Sequence, residues 1–145
     1  MTESALTNSL QVKKIFSAPI EIVFAHFTKA ELLSTWHSPN LTIPPKLNLD
    51  LKVGGAYRIE MIDADGDVHI VVGIYKEIVP NQKLVYSWKW EGGTHPETTV
   101  TVLFTTLGDS TEVELIHAGF VDDEVKGHHN QGWNGLLSKL ANVLT

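Results

Sequence analysis

Between Gly54 and Gly119 apolar and polar residues alternate, interrupted by turn-forming pairs, and no other feature of the chain limits its fold so tightly. Successive side chains of a strand point to opposite faces, so an alternating run reads as a half-buried strand. Runs joined by tight turns read as hairpins of an antiparallel meander. Tyr57, Ile59 and Met61 alternate with Arg58 and Glu60, and Asp65-Gly66 turns the chain into the apolar stripe Val68, Ile70, Val72 and Ile74. Pro80-Asn81 marks the next turn, after which Leu84, Tyr86, Trp88 and Trp90 share one face and Ser87 and Lys89 the other. A loop from Glu91 to Pro96 leads to Val100, Val102 and Phe104; Gly108-Asp109 then turns the chain into Val113, Leu115 and His117, which oppose Glu112 and Glu114. This parity places Tyr57, Ile59, Tyr86, Trp88, Val102, Leu115 and His117 inside, and Arg58, Lys89, Glu112 and Glu114 in solvent.

The flanks read as helical. Leu10 to Phe16 form a first strand, stopped by Pro19, which suits the first helical position with Glu21 in the first turn; this helix runs through Phe27. Thr28 and Glu31 have capping-box spacing and open a second short helix carrying Leu32, Leu33 and Trp36. Three prolines between Ser38 and Lys46 make that stretch a loop or an extended crossing segment. At the other end, the charges of Asp122, Asp123 and Glu124 suit a helix N-terminus. Trp133, Leu136, Leu137, Leu140, Ala141 and Leu144 then recur at helical spacing and form one buried stripe. Gly127, Gly132 and Gly135 disfavour a helix interior, which suggests a kink or close backbone approach and leaves little side-chain volume in that half. The whole reads as α+β: a strand, two short helices, an antiparallel sheet completed to six or seven strands, and a long C-terminal helix. Gly54-Gly55 precedes a strand and so reads as a bend or bulge, not a phosphate loop.

A chain of 145 residues with 43% hydrophobic and 19% charged residues fits a single domain over 1–145, with 1–9 as a flexible tail. The absence of cysteine removes disulfides, thiolate metal sites and a cysteine nucleophile together. Net charge is −6 and Lys13-Lys14 is the one adjacent basic pair, so nucleic acid is excluded as a partner. Neither a membrane-spanning run nor a signal-peptide pattern occurs, which makes a cytoplasmic location the expectation.

The segments FSAPIEIVFAHFT, LLSTW, LDLKVGGAYRIEM, VGIYKEIVPNQKLVYSWKW, ETTVTVLF, STEVELIHAGF and HHNQGWNGLLSKL occur in that order. Together they resemble the successive blocks of the heat-shock-protein-90 ATPase activator homologue family. That family belongs to the START-like (SRPBCC) superfamily, which also contains the birch-pollen allergen. The resemblance runs from Ile15 to Leu144. It implies a helix-grip fold, a curved sheet wrapped around the last helix with a cavity between them. The eukaryotic activator carries a separate N-terminal chaperone-binding domain, whereas about ten residues precede the first strand here. A stand-alone domain, monomer or homodimer, with at most a weak chaperone interaction is therefore expected.

Ligand sites are mostly apolar with a few placed polar groups. Trp36, Tyr57, Ile59, Tyr86, Trp88, Val102, Leu115, His117, Trp133 and Leu137 are the candidate cavity lining, for a hydrophobic or amphipathic small molecule with no cofactor. The site should lie between the N-terminal half of the last helix and the central strands. His117 is the one inward titratable group of its strand and could orient a ligand, bond to neighbouring backbone, or serve as general base with Glu60 or His37 in a cyclase- or hydrolase-type enzyme. Adjacent His128 and His129 diverge by about 100° around a helix and cannot share an ion as an i, i+4 pair does, though one of them can turn inward. Asp63, Asp65 and Asp67 mimic the start of a calcium loop, but the glycine falls at the fourth position and Ile74 stands where the bidentate glutamate belongs. No metal site is expected.

Overall fold

The computed structural model describes residues 8–145; most of the proposed tail lies outside them. The elements are β1 (Ser9–Phe16), α1 (Ile20–Thr28), α2 (Ala30–Leu33), β2 (Lys46–Leu49), β3 (Ala56–Ile62), β4 (Val68–Val79), β5 (Lys83–Trp90), β6 (Thr98–Leu107), β7 (Ser110–Ala118) and α3 (Asp123–Val143). All seven strands join one antiparallel open sheet in the order β1-β7-β6-β5-β4-β3-β2. Strands β2 to β7 run as a meander, and β1 pairs with the far edge of β7 from Ser9 opposite Ala118 to Phe16 opposite Thr111. The two short helices follow β1, and α3 packs on the inner face: a helix-grip fold.

Turn chemistry supports the hairpins. Leu107 pairs with Ser110 across a two-residue loop whose Gly108 has φ of 59°, a conformation that costs glycine nothing. Between Tyr75 and Glu77 the β4–β5 register shifts, and such a bulge bends the sheet. Beside it, side chains take over part of the ladder: the Ile74 amide donates to Ser87 Oγ and the Tyr57 hydroxyl donates to the Ser87 carbonyl. A Cβ on Gly73 would stand 2.0 Å from that carbonyl oxygen, so only glycine lets β4 and β5 approach here. Ser87 is consequently buried, although alternation assigns it to the outer face.

Tyr57, Ile59, Trp88, Val102, Leu115 and His117 are buried and Tyr86 is half-buried, while Lys89 is exposed and Arg58, Glu112 and Glu114 lie half-exposed on the outer face. Strand β4 departs from the expected stripe. Its buried residues are Val71 and Tyr75, whereas Val68 and Ile74 are exposed. Cross-strand partners share a face, and inward Ile59 pairs with Val71, so β3 dictates the parity of β4.

Two local readings are corrected. Thr28 does not cap α2: it ends α1, buried, with its hydroxyl donating to the Phe24 carbonyl, and Lys29 precedes a single turn beyond which Trp36 lies. Asp122, by contrast, caps α3 by accepting from the Val125 amide. The close-approach reading of the α3 glycines also fails, because a Cβ on Gly127, Gly132 or Gly135 would meet nothing within 4 Å. Trp133, Leu137 and Leu140 form the buried stripe, flanked by partly buried Leu136, Ala141 and Leu144.

Candidate ligand-binding site

Trp88 and Trp90 project from β5 toward Trp133 of α3, with ring centroids 5.5 Å apart for Trp88–Trp90 and 5.0 Å for Trp88–Trp133. Two indole-to-imidazole hydrogen bonds hold this cluster. Trp133 Nε1 donates to His117 Nδ1 at 3.0 Å, and Trp90 Nε1 donates to His129 Nε2 at 3.0 Å. An indole N–H can only donate, so each accepting imidazole nitrogen carries a lone pair, and the proton of each ring is on the other nitrogen. In His117 that proton goes from Nε2 to Thr98 Oγ1 at 2.6 Å, and the Thr98 hydroxyl donates to the Trp88 carbonyl at 3.1 Å. In His129 it goes from Nδ1 to the Val125 carbonyl at 2.9 Å, one turn back along α3. Burial, reinforced by neighbouring His129, lowers the His117 pKa to about 2; His129 is lowered as well, chiefly by burial. Both rings are neutral donors and acceptors with every nitrogen committed.

In front of this cluster lies a cavity of about 630 Å³. It is lined by Met61, Trp88 and Trp90 from the sheet and by Val125, Gly132, Trp133, Gly135 and Leu136 from α3. The mouth carries His95, His128, Lys139 and the pair Asp63–His69, whose Oδ2 and Nε2 are 2.8 Å apart. The bond from His69, with amides of the same turn, holds Asp63 below its ordinary pKa. Asp63, Asp65 and Asp67 come close enough to share a cation, yet Asp63 Oδ1 already accepts from the amides of Asp65 and Asp67 and Oδ2 is bonded to His69.

Of the sequence-derived candidates, Trp88 and Trp133 line this cavity. His117 stands behind them as the acceptor that orients Trp133. Trp36, Val102, Leu115 and Leu137 are fully buried core, Trp36 donating to the His26 carbonyl. Tyr57, Ile59 and Tyr86 wall a second cavity of about 20 Å³ with Phe27, Leu33, His37, Tyr75 and Trp88. The lining outside the ten candidates comes from separate segments, Met61 of β3, Asp63 and His69 at the β3–β4 turn, Trp90 of β5, His95 of the β5–β6 loop and His129 of α3, while the low side-chain volume of Gly132 and Gly135 is already visible in the sequence. One signal was available: His129 sits four residues before Trp133 on the same helical face.

The family model described as Activator of Hsp90 ATPase homolog 1-like protein matches residues 17–145. The chain belongs to this family. Among solved structures, protein CV1439 of Chromobacterium violaceum is 25% identical, with a TM-score of 0.83 over 95% of this chain and 97% of that one. The SPO3351 protein of Silicibacter pomeroyi is likewise 25% identical, with a TM-score of 0.79 over 94% and 96%. CalU16 of Micromonospora echinospora is 25% identical, with a TM-score of 0.72 over 94% of this chain and 76% of that chain. No curated protein matches. Membership in this family fits a ligand-binding fold, and no helix among the described residues is long and apolar enough to cross a membrane.

Proposed function

We propose that this family member binds a hydrophobic or amphipathic small molecule, without catalysis, in the cavity between β5 and the N-terminal half of α3. The observation that carries this reading is the pairing of an aromatic wall with a stretch of helix stripped of side chains. The indoles of Trp88 and Trp90 on β5 line the same cavity as Gly132 and Gly135 on α3, where a Cβ would meet nothing within 4 Å, so a flat apolar molecule fits against the helix backbone. Each of these glycines disfavours the helix by about 1 kcal/mol relative to alanine, a cost that packing on the sheet does not explain. A few polar groups, among them His95, His128 and Lys139, on an otherwise apolar lining suit an amphipathic guest with one polar end.

The non-catalytic part of the reading is supported by His117, whose nitrogens are committed to Trp133 and Thr98 and leave no lone pair for proton abstraction. Glu60 lies on the outer face of β3 beside Arg58 and Lys46, away from the cavity.

The test is titration of fatty acids, flavonoids and aromatic polyketides by tryptophan fluorescence. Gly135→Leu should leave the fold as stable as wild type or up to about 1 kcal/mol more stable, yet weaken binding at least tenfold by occupying the cavity. Trp133→Ala should weaken binding more than Leu144→Ala. Affinity indifferent to both positions, 133 and 135, would place the ligand elsewhere.

A further inference from the structure

Behind Trp88, on the side away from the large cavity, lies the smaller one of about 20 Å³. A space of roughly 10–15 Å³ already accommodates one water-sized group, provided polar partners face it. Two residues of its walls carry a buried polar atom with no hydrogen-bond partner on another residue, Trp88 at Nε1 and His37 at Nδ1, and the His37 ring meets only its own main chain. Both residues are more than nine-tenths buried, at 4% and 3% exposure, with ring centroids 6.1 Å apart. Leaving two such groups unpaired side by side is costly, since each forfeits its full hydration without compensation. Every other indole here has a partner: Trp36 the His26 carbonyl, Trp90 His129, and Trp133 His117.

We propose that this inner cavity is a polar subsite holding one hydroxyl oxygen, which accepts from Trp88 Nε1 and bonds to His37 Nδ1. The chemistry of the two partners selects the group. The indole N–H needs an acceptor, while His37 Nδ1 is a donor or an acceptor according to the tautomer of the neutral ring. A hydroxyl satisfies either case because its oxygen accepts twice and its hydrogen donates once, whereas a carbonyl or ether serves only one tautomer. An anion has no countercharge among the aromatic and aliphatic walls, and a cation would oppose the indole N–H. The oxygen belongs either to a buried water or to a ligand whose apolar body lies in the large cavity and whose hydroxyl reaches past Trp88. The second source rests on the proposed cavity function; the first does not.

The experiment is a high-resolution crystal structure of the full chain, alone and soaked with 2-naphthol. It is accompanied by fluorescence affinities of 2-naphthol and naphthalene for wild type, His37→Phe and Trp88→Phe. An ordered oxygen within hydrogen-bond distance of both nitrogens is expected. If it is water, it is present without probe and both probes bind alike. If it is the ligand's, the naphthol oxygen takes that position, and 2-naphthol is preferred by roughly tenfold in wild type and not in the variants. Should His37→Phe fail to fold, Trp88→Phe keeps an aromatic ring and removes the donor alone. Featureless density in both crystals with equal probe affinities overturns the subsite and leaves the indole N–H resting on a ring face. Binding that depends on Trp133 without an oxygen behind Trp88 sinks the subsite while sparing the cavity function. If neither probe binds, the cavity function fails and the density still decides the subsite.

Discussion

His117 and His37 are both held neutral by burial, their pKa values lowered from 6.5 to about 2 and about 4. Once unfolded, each regains its ordinary value, so below pH 6.5 the unfolded chain binds more protons than the folded one. Stability is therefore fully present above pH 6.5 and falls as the pH drops, by roughly 1.4 kcal/mol per pH unit for each histidine. Both contribute between pH 6.5 and about 4, and His117 alone continues below. Urea midpoints across this range should show the slope, and His117→Asn should flatten it; an acid limb unchanged in that variant would deny His117 the role. The Trp133–His117 bond is tested more directly by Trp133→Phe, which keeps an aromatic ring and strands the imidazole lone pair. Leaving one buried acceptor unpaired costs about 1–3 kcal/mol, to be read as a lower urea midpoint. Nitrogen NMR of His117 should show in the same variant that the Nδ1 resonance has moved, which loss of volume alone does not predict.

Helix α3 does two jobs along its length. Its C-terminal half packs Leu137 and Leu140 into the core, while its N-terminal half, from Asp122 to Leu136, forms a cavity wall with little side-chain volume. With three glycines in that half, the Asp122 cap carries an unusual share of its helicity. Asp122→Ala should cost about 1 kcal/mol and raise amide exchange selectively from Asp123 to His129, leaving Leu137 to Val143 protected. Uniform exchange along the helix would refute this division. The glycines also show where sequence reading stopped. Their low volume was visible in the chain and suited either a tight approach or an open space, and the position of the sheet decides for the open space. Alternation gave the correct parity of β3, β6 and β7 because one face of each is polar. In β4, apolar residues occupy both faces, with Val68, Ile70, Val72 and Ile74 opposing Val71 and Tyr75, so periodicity could not choose and pairing with β3 did.

At the scale of the molecule, the bend between β4 and β5 lets one sheet serve both as the bed for α3 and as the back wall of the cavity. Gly73 is the residue on which that bend depends. Gly73→Ala would bring a methyl to 2.0 Å from the Ser87 carbonyl oxygen and 2.5 Å from the Tyr57 ring. A loss of roughly 1–3 kcal/mol is expected in urea unfolding, and a variant as stable as wild type would show that the strands have slack there. The place of the cavity, between the N-terminal half of the last helix and the central strands, was legible in advance, but most of its lining was not, because it comes from β3, β4, β5, the β5–β6 loop and α3, segments that no periodicity links. The core was legible, since burial imposes a repeat and a binding surface does not. The packing of Trp88 against Trp90 at 5.5 Å and against Trp133 at 5.0 Å has an optical consequence. Indoles this close share their excitation, so their circular dichroism bands split into an exciton couplet. One partner belongs to the helix and two to the sheet, so the helix–sheet part of that couplet vanishes when α3 lifts away even while every strand stays intact.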